Sequence, residues 1–135
     1  MIRQLDDRTF ASGQIAADEV AGLAEQGFTV LVNNRPDGED PGQPAASEIE
    51  EAAAAAGIKY HYVPISRGIG PADVETMGEA LSDAEGGKLL AFCRSGMRSA
   101  LALGLAKRQR GETAEEVQRC LSEAGFDPSP IAHLL

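Results

Sequence analysis

Cys93 sits in the stretch LLAFCRSGMRSALALGLAKRQRG, directly after an apolar run, and two arginines, two serines, a glycine and a methionine follow it within six residues. A thiol in this setting can serve as a nucleophile. Its loop precedes a predicted helix, whose first unpaired N–H groups and dipole favour negative charge. The backbone N–H groups of a tight Ser95–Gly96 turn can form an anion nest. Arg98 is close enough in sequence to curl back and offer a planar two-pronged donor. Each effect favours thiolate over thiol, and the same donors would hold an oxyanion beside the sulfur. The arrangement predicts covalent catalysis by Cys93 within an anion cradle. Arg94, Ser95, Gly96, Met97 and Ser99 are the loop residues expected around the bound anion, Arg94 with its side chain turned outward. The plainer role for a cysteine after a strand is core filler, but the arginines around this one argue against it. Cys120 reads the other way: with Val117, Leu121 and Ala124 it falls on the apolar stripe of a predicted helix.

The charge of the chain sharpens this contrast. The 135 residues carry a formal net charge of -9 and a pI near 4.6. Yet residues 88–110 hold Lys88, Arg94, Arg98, Lys107, Arg108 and Arg110 with no acidic residue, half of the chain's 12 basic ones. Lys107, Arg108 and Arg110 suit the last turn of a helix. Arg94 and Arg98 lie at its other end and need another reason. An acidic chain of this kind is a poor binder of nucleic acid or of an anionic membrane. No apolar run approaches the ~20 residues of a membrane span, and the start MIRQLDDRTF has no signal-type apolar segment. Two cysteines are too few for a disulfide scaffold, so a cytoplasmic protein is expected.

The elements that must position Cys93 alternate in type. Extended segments are predicted at IRQL and TFASG, a helix over 17–26, and a buried strand over 28–33 (FTVLVN). The turn-rich NNRPDGEDPGQP forms a loop. A helix over EIEEAAAAA, a strand IKYHYVPI, and a helix begun by Pro71 follow. KLLAF is a third buried strand, Ser99 to Arg110 a helix, and Thr113 with Glu116 a capping box that opens the last helix, through about Ala124. This pattern predicts one domain over 1–135, a three-layer α/β/α fold with a mostly parallel central sheet. Cys93 and the 33–44 loop both follow strand carboxyl ends, so both should open on one face, where ligands bind in such sheets.

CRSGMRS resembles the active-site loops of rhodanese-like sulfurtransferases and of cysteine-dependent phosphatases. With FASGQI, the NNRPDGE stretch and the Gln-Pro before a helix, the chain more closely resembles the phosphatase-like domain of beta-lactamase-hydrolase-like proteins, a family described both as sulfur transferases and as phosphatases. The resemblance implies a dual-specificity-phosphatase-like fold, a place for Gln14 in the site, and a persulfide dioxygenase-like partner. Loop length separates the two chemistries. Cys93 to Arg98 spans six residues, as in rhodaneses; the phosphatases have seven, and Ser99 stands where their arginine falls. Phe92 replaces the histidine that precedes their cysteine.

A phosphatase also needs a general acid. Asp73 and Asp37 are the candidates, although Asp73 also suits a first helical turn and Asp37 a Pro-Asp-Gly turn. Arg35 could bind a substrate anion or pair with Asp37 or Glu39. Two separated histidines, His61 and His133, make no metal site, and Asp37, Glu39 and Asp40 read as a solvated acidic loop. The sequence therefore puts first a sulfurtransferase acting through a Cys93 persulfide, on thiosulfate or a persulfide, with no cofactor or metal. Phosphate-ester hydrolysis through a phosphocysteine comes second, and a non-catalytic anion-binding or docking module third.

Overall fold

The computed structural model describes residues 2–135. In chain order the elements are β1 (Ile2–Gln4), β2 (Thr9–Ser12), a 3-10 turn (Ala17–Glu19), α1 (Val20–Glu25), β3 (Phe28–Asn33), α2 (Ala46–Ala56), β4 (Lys59–Tyr62), α3 (Pro71–Asp83), β5 (Lys88–Phe92), α4 (Met97–Gln109), α5 (Ala114–Glu123) and a closing 3-10 segment (Ser129–Leu134). The strands form one sheet in the order β1-β2-β5-β3-β4, parallel except for β1. The mostly parallel α/β sheet and its helix layers agree with the sequence expectation.

The apolar runs explain the layering. β5 is the central strand, and its side chains alternate between two cores as period-two geometry requires. Leu89 and Ala91 face the core built with α3, α4 and α5, whereas Leu90 and Phe92 face the one built with α1 and α2. Because both faces are covered, the strand reads as a continuous hydrophobic run. Residues 99–107 of α4 are all buried, Lys107 included. Gly104 makes the packing of α4 on α5 close, since a Cβ there would lie 3.1 Å from Leu121 and 3.2 Å from Val117.

Element ends differ from the sequence reading where local hydrogen bonds decide. The first turn of the 17–26 segment is 3-10, its entry held by Glu19 accepting from the Ala16 N–H at 2.8 Å. α2 starts at Ala46 rather than Glu48, because Asp37 caps it from a distant loop, accepting from the Ala46 N–H at 2.7 Å. α4 starts at Met97 rather than Ser99, on the left-handed Gly96. The capping box of Thr113 and Glu116 forms as predicted. The 3-10 segment at 129–134 follows α5 and has no counterpart in the predicted elements.

Candidate active site

Three chain segments leave the sheet side by side at its carboxyl edge. Ser12 of β2 and Asn33 of β3 both pair with Phe92 at the end of β5. The hydrogen bonds continue one residue further: the Cys93 N–H donates to the Ser12 carbonyl at 3.2 Å, and the Asn34 N–H to the Phe92 carbonyl at 2.8 Å. The Gly13–Gln14 turn, the Asn34–Asp40 loop and the Cys93–Arg98 loop therefore meet on one face.

The Cys93 loop is tight. Gly96 adopts φ 97°, in the left-handed region that favours glycine, and its N–H donates to the Cys93 Sγ at 3.1 Å. Cys93 is buried, and its sulfur lies at the N-terminal end of a 13-residue helix, where the dipole supports an anion. Gly13 is the second glycine the loop requires, because a Cβ there would lie 2.9 Å from the Arg94 carbonyl oxygen. Ser99 at the first turn of α4 is buried and donates to Asn34 Oδ1 at 2.8 Å; Asn34 in turn donates to the Val63 carbonyl at 3.0 Å. Ser99 thus ties the loop to its neighbours. The Ser95 hydroxyl accepts from the Met97 N–H at 3.4 Å.

The arginines of the Cys93 loop and of the neighbouring 34–40 loop are already paired. Arg98 gives its planar fork to Glu39, at 2.7 and 2.8 Å, and also donates to the Ile65 carbonyl at 2.7 Å. Its pKa is raised, first by Glu39, against the opposing effect of burial, and further by Cys93. The same hydrogen bonds from Arg98, joined by those from Arg35, outweigh burial and hold the Glu39 carboxyl down at about 2. Arg35 is itself buried and donates to Glu39 at 3.0 Å, to Gln14 at 3.1 Å and to Asp40 at 2.5 Å. Of the two partners expected for Arg35, Glu39 is taken and Asp37 is not. Arg94 points outward with its side chain 69 % exposed, Nε 3.4 Å from Asp40.

The structure thus gathers Cys93, Gly96, Arg98, Ser99, Arg35 and Gln14. Asp37 and Asp73 are engaged elsewhere. Asp37 caps α2, and Asp73 accepts from the Gly70 N–H at 2.8 Å at the start of α3. Glu39 is the site residue the sequence reading undervalued. It appears there as one acidic loop residue among three and as one of two possible partners of Arg35, with no link to Arg98. Among the described residues no group of three or more His, Cys, Asp or Glu side chains is arranged to hold a metal ion.

Residues 2–109 match the family model for the phosphatase-like domain of beta-lactamase hydrolase-like proteins. The chain belongs to that family. A beta-lactamase hydrolase-like protein from Xylella fastidiosa (strain Temecula1) is 34% identical over 128 residues, covering 93% of this chain and 30% of the relative. The phosphatase-like domain thus spans under a third of that relative's length. A candidate phosphatase from Neisseria meningitidis Z2491 superposes with a TM-score of 0.81 at 30% identity, over 98% of this chain and 94% of the other. Tk-PTP in its active form superposes with a TM-score of 0.74 at 20% identity, over 98% and 91%, a likeness of fold alone. The dual-specificity and protein-tyrosine phosphatase type of fold expected from the sequence is present. No described helix is long and apolar enough to cross a membrane.

Proposed function

We propose that this domain hydrolyses phosphate monoesters through a phosphocysteine on Cys93. The observation that carries the reading is the Gly96 N–H aimed at the Cys93 sulfur from 3.1 Å, at the head of α4 and beside Arg98, in a phosphatase-like domain. In the proposed reaction the Cys93 thiolate attacks phosphorus while the P–O bond to the alcohol breaks, its electron pair leaving on oxygen. The loop N–H groups and Arg98 meet the charge spread over the phosphoryl oxygens. Water then attacks the phosphocysteine, releasing phosphate and restoring the thiolate. For the incoming anion to reach Arg98, Glu39 must share or yield the guanidinium it now holds. Arg35 keeps Glu39 in place when it does.

Asp37 and Asp73 both hold backbone N–H groups, so in this reading neither donates to the leaving oxygen. Its proton comes from water, which favours esters of acidic alcohols, phenols above simple alkanols. The test is turnover of an aryl phosphate by the purified protein. Release of phosphate that falls by about 10⁴-fold or more in Cys93→Ser supports the reading; no release, or release that survives the substitution, removes it.

Sulfur transfer through a Cys93 persulfide is the second reading. Two observations favour it: Arg98 lies five positions after Cys93, the short spacing, and both acid candidates are occupied as caps. Transfer of sulfane sulfur from thiosulfate to a thiolate needs no protonated leaving oxygen. The sequence put this chemistry first. Family and fold give the weight to phosphoester hydrolysis: the family match runs over residues 2–109 and the fold likeness over 98% of the chain, where loop length is one feature.

A further inference from the structure

Beside Arg98 the surface turns largely apolar. A cavity of about 360 Å³ opens there between the 65–69 loop, the start of α4 and the closing 3-10 segment. Its walls are Ile65, Ile69, Met97, Leu101, Ile131 and Leu134, with Arg98 at one edge and His133 on the rim. The volume falls within the ~300–1,000 Å³ typical of small-molecule sites. Leu134 is 55% exposed at its mouth, one of three large exposed hydrophobics among the described residues. Part of the wall, residues 130–134, lies beyond the segment that the family model matches.

We infer that this cavity receives the leaving group, and that the substrates are phosphate monoesters whose alcohol is apolar, an aryl or alkylaryl group. The inference rests on the phosphatase reading and adds its specificity. Arg98 carries the argument, because it is common to both places. It closes the Cys93 loop five positions after the cysteine and lines the cavity, and its Nη1 donates to the carbonyl of Ile65, another lining residue. An anion held by the loop and by Arg98 therefore has apolar surface beside it. A leaving group placed there gains by removal from water, about fourfold in affinity for each buried carbon. Arg98 and His133 are the titratable groups among the cavity's lining residues, so a cationic leaving group would find no carboxylate among them.

The test uses 4-alkylphenyl phosphates, from unsubstituted to butyl, which vary the apolar body while nearly fixing the acidity of the phenol. Wild-type kcat/KM and the affinity of Cys93→Ser for the same compounds are both measured. Each should rise about fourfold per added carbon until the cavity is full. Leu134→Asp, at a position 55% exposed, should lower the butyl-to-unsubstituted ratio at least tenfold. Unfolding curves check that the variant is folded. Turnover with a flat series, or a ratio unmoved by Leu134→Asp, overturns the cavity assignment and leaves the phosphatase reading standing. A rising affinity series without any turnover does the reverse. A flat affinity series without turnover overturns both.

Discussion

The two ends of α4 each hold a cation paired with carboxylate, one carboxylate at Arg98 and two at Lys107, and only one end faces a nucleophile. At the N-terminal end Arg98 meets Glu39, which also accepts from Arg35, itself paired with Asp40. About 14 Å away along the helix, Lys107 is buried between Asp6 and Glu112, 2.8 Å from the latter. Burial works against the Lys107 charge, but the two carboxylates outweigh it and its pKa is raised. Burial likewise opposes the Asp6 charge, and Lys107 with the Arg8 N–H keeps that carboxyl below its usual range. The nearby Cys120 thiol is pushed up by burial. So the same charge pattern serves two ends. At the C-terminal end it settles a buried lysine against the helix dipole and the start of the chain. At the N-terminal end unpaired N–H groups add a field that supports an anion, and a sulfur lies within it. What separates a structural ion cluster from a candidate active site is the backbone around it, more than the charges themselves.

The comparison breaks if the two cations behave alike. After loss of Cys93 itself, the largest expected effect is that of Arg98→Lys, a fall in kcat/KM of about 10²–10³-fold, the scale of one preorganised donor to a transition-state oxyanion, with little change in unfolding midpoint. Lys107→Met should do the opposite. It should cost about 1–2 kcal/mol of stability through its unpaired carboxylates, which can still reach water, and leave kcat/KM within about threefold. Steady-state kinetics and urea titrations on both variants decide. Equal catalytic losses would mean that the Arg98 end is no more functional than the other.

Glu39→Gln sharpens the comparison from the acidic side. Without its charge Arg98 is less well placed, and a fall of about tenfold in kcat/KM is expected. The folded-state carboxyl is held at about 2, well below its ordinary 4.5. A depressed pKa gives stabilisation that is complete above the unfolded value and lost as pH falls toward the folded one. The stability difference between wild type and Glu39→Gln should hence be constant from pH 5 to 8 and shrink from about pH 4.5 down to about 2. Thermal unfolding across that range is the measurement, and a difference that changes between pH 6 and 8 would contradict the assignment.

The smallest expected effect belongs to Asp73→Asn. As a cap it should cost about 0.5–1 kcal/mol of stability and change aryl phosphate turnover by less than about threefold. A loss of about 10²-fold or more in kcat with unaltered folding would make Asp73 a general acid and remove its role as a cap only.

Much of this site could be read from residues in line. The run KLLAF, its cysteine and the helix after it announce a strand, a loop and a helix head within some 20 residues, and periodicity in the flanking segments gives the mostly parallel sheet. Arg94 outward and Arg98 inward follow from loop position. The parts that could not be read depend on contacts across the chain. Nothing local to Glu39 says that Arg98, 59 residues on, will hold it. Asp37 looks like a turn residue until α2, nine positions later, supplies the N–H it accepts. The 3-10 segment that walls the cavity lacks both strand alternation and a helical stripe, so pattern alone gave it no role. Lys107 suited the last turn of a helix by its dipole, and its burial depends on Asp6, far away in the chain, together with Glu112.

The most direct measurement is the mass of Cys93 after brief exposure of the protein to an aryl phosphate, quenched in acid, with a parallel sample given thiosulfate. The account predicts one added phosphoryl group on the Cys93 peptide from the first sample, absent in Cys93→Ser, and none on Cys120. One added sulfur on Cys93 from thiosulfate, with no phosphoryl adduct and no phosphate released from the ester, would contradict it and assign the cradle to sulfur transfer.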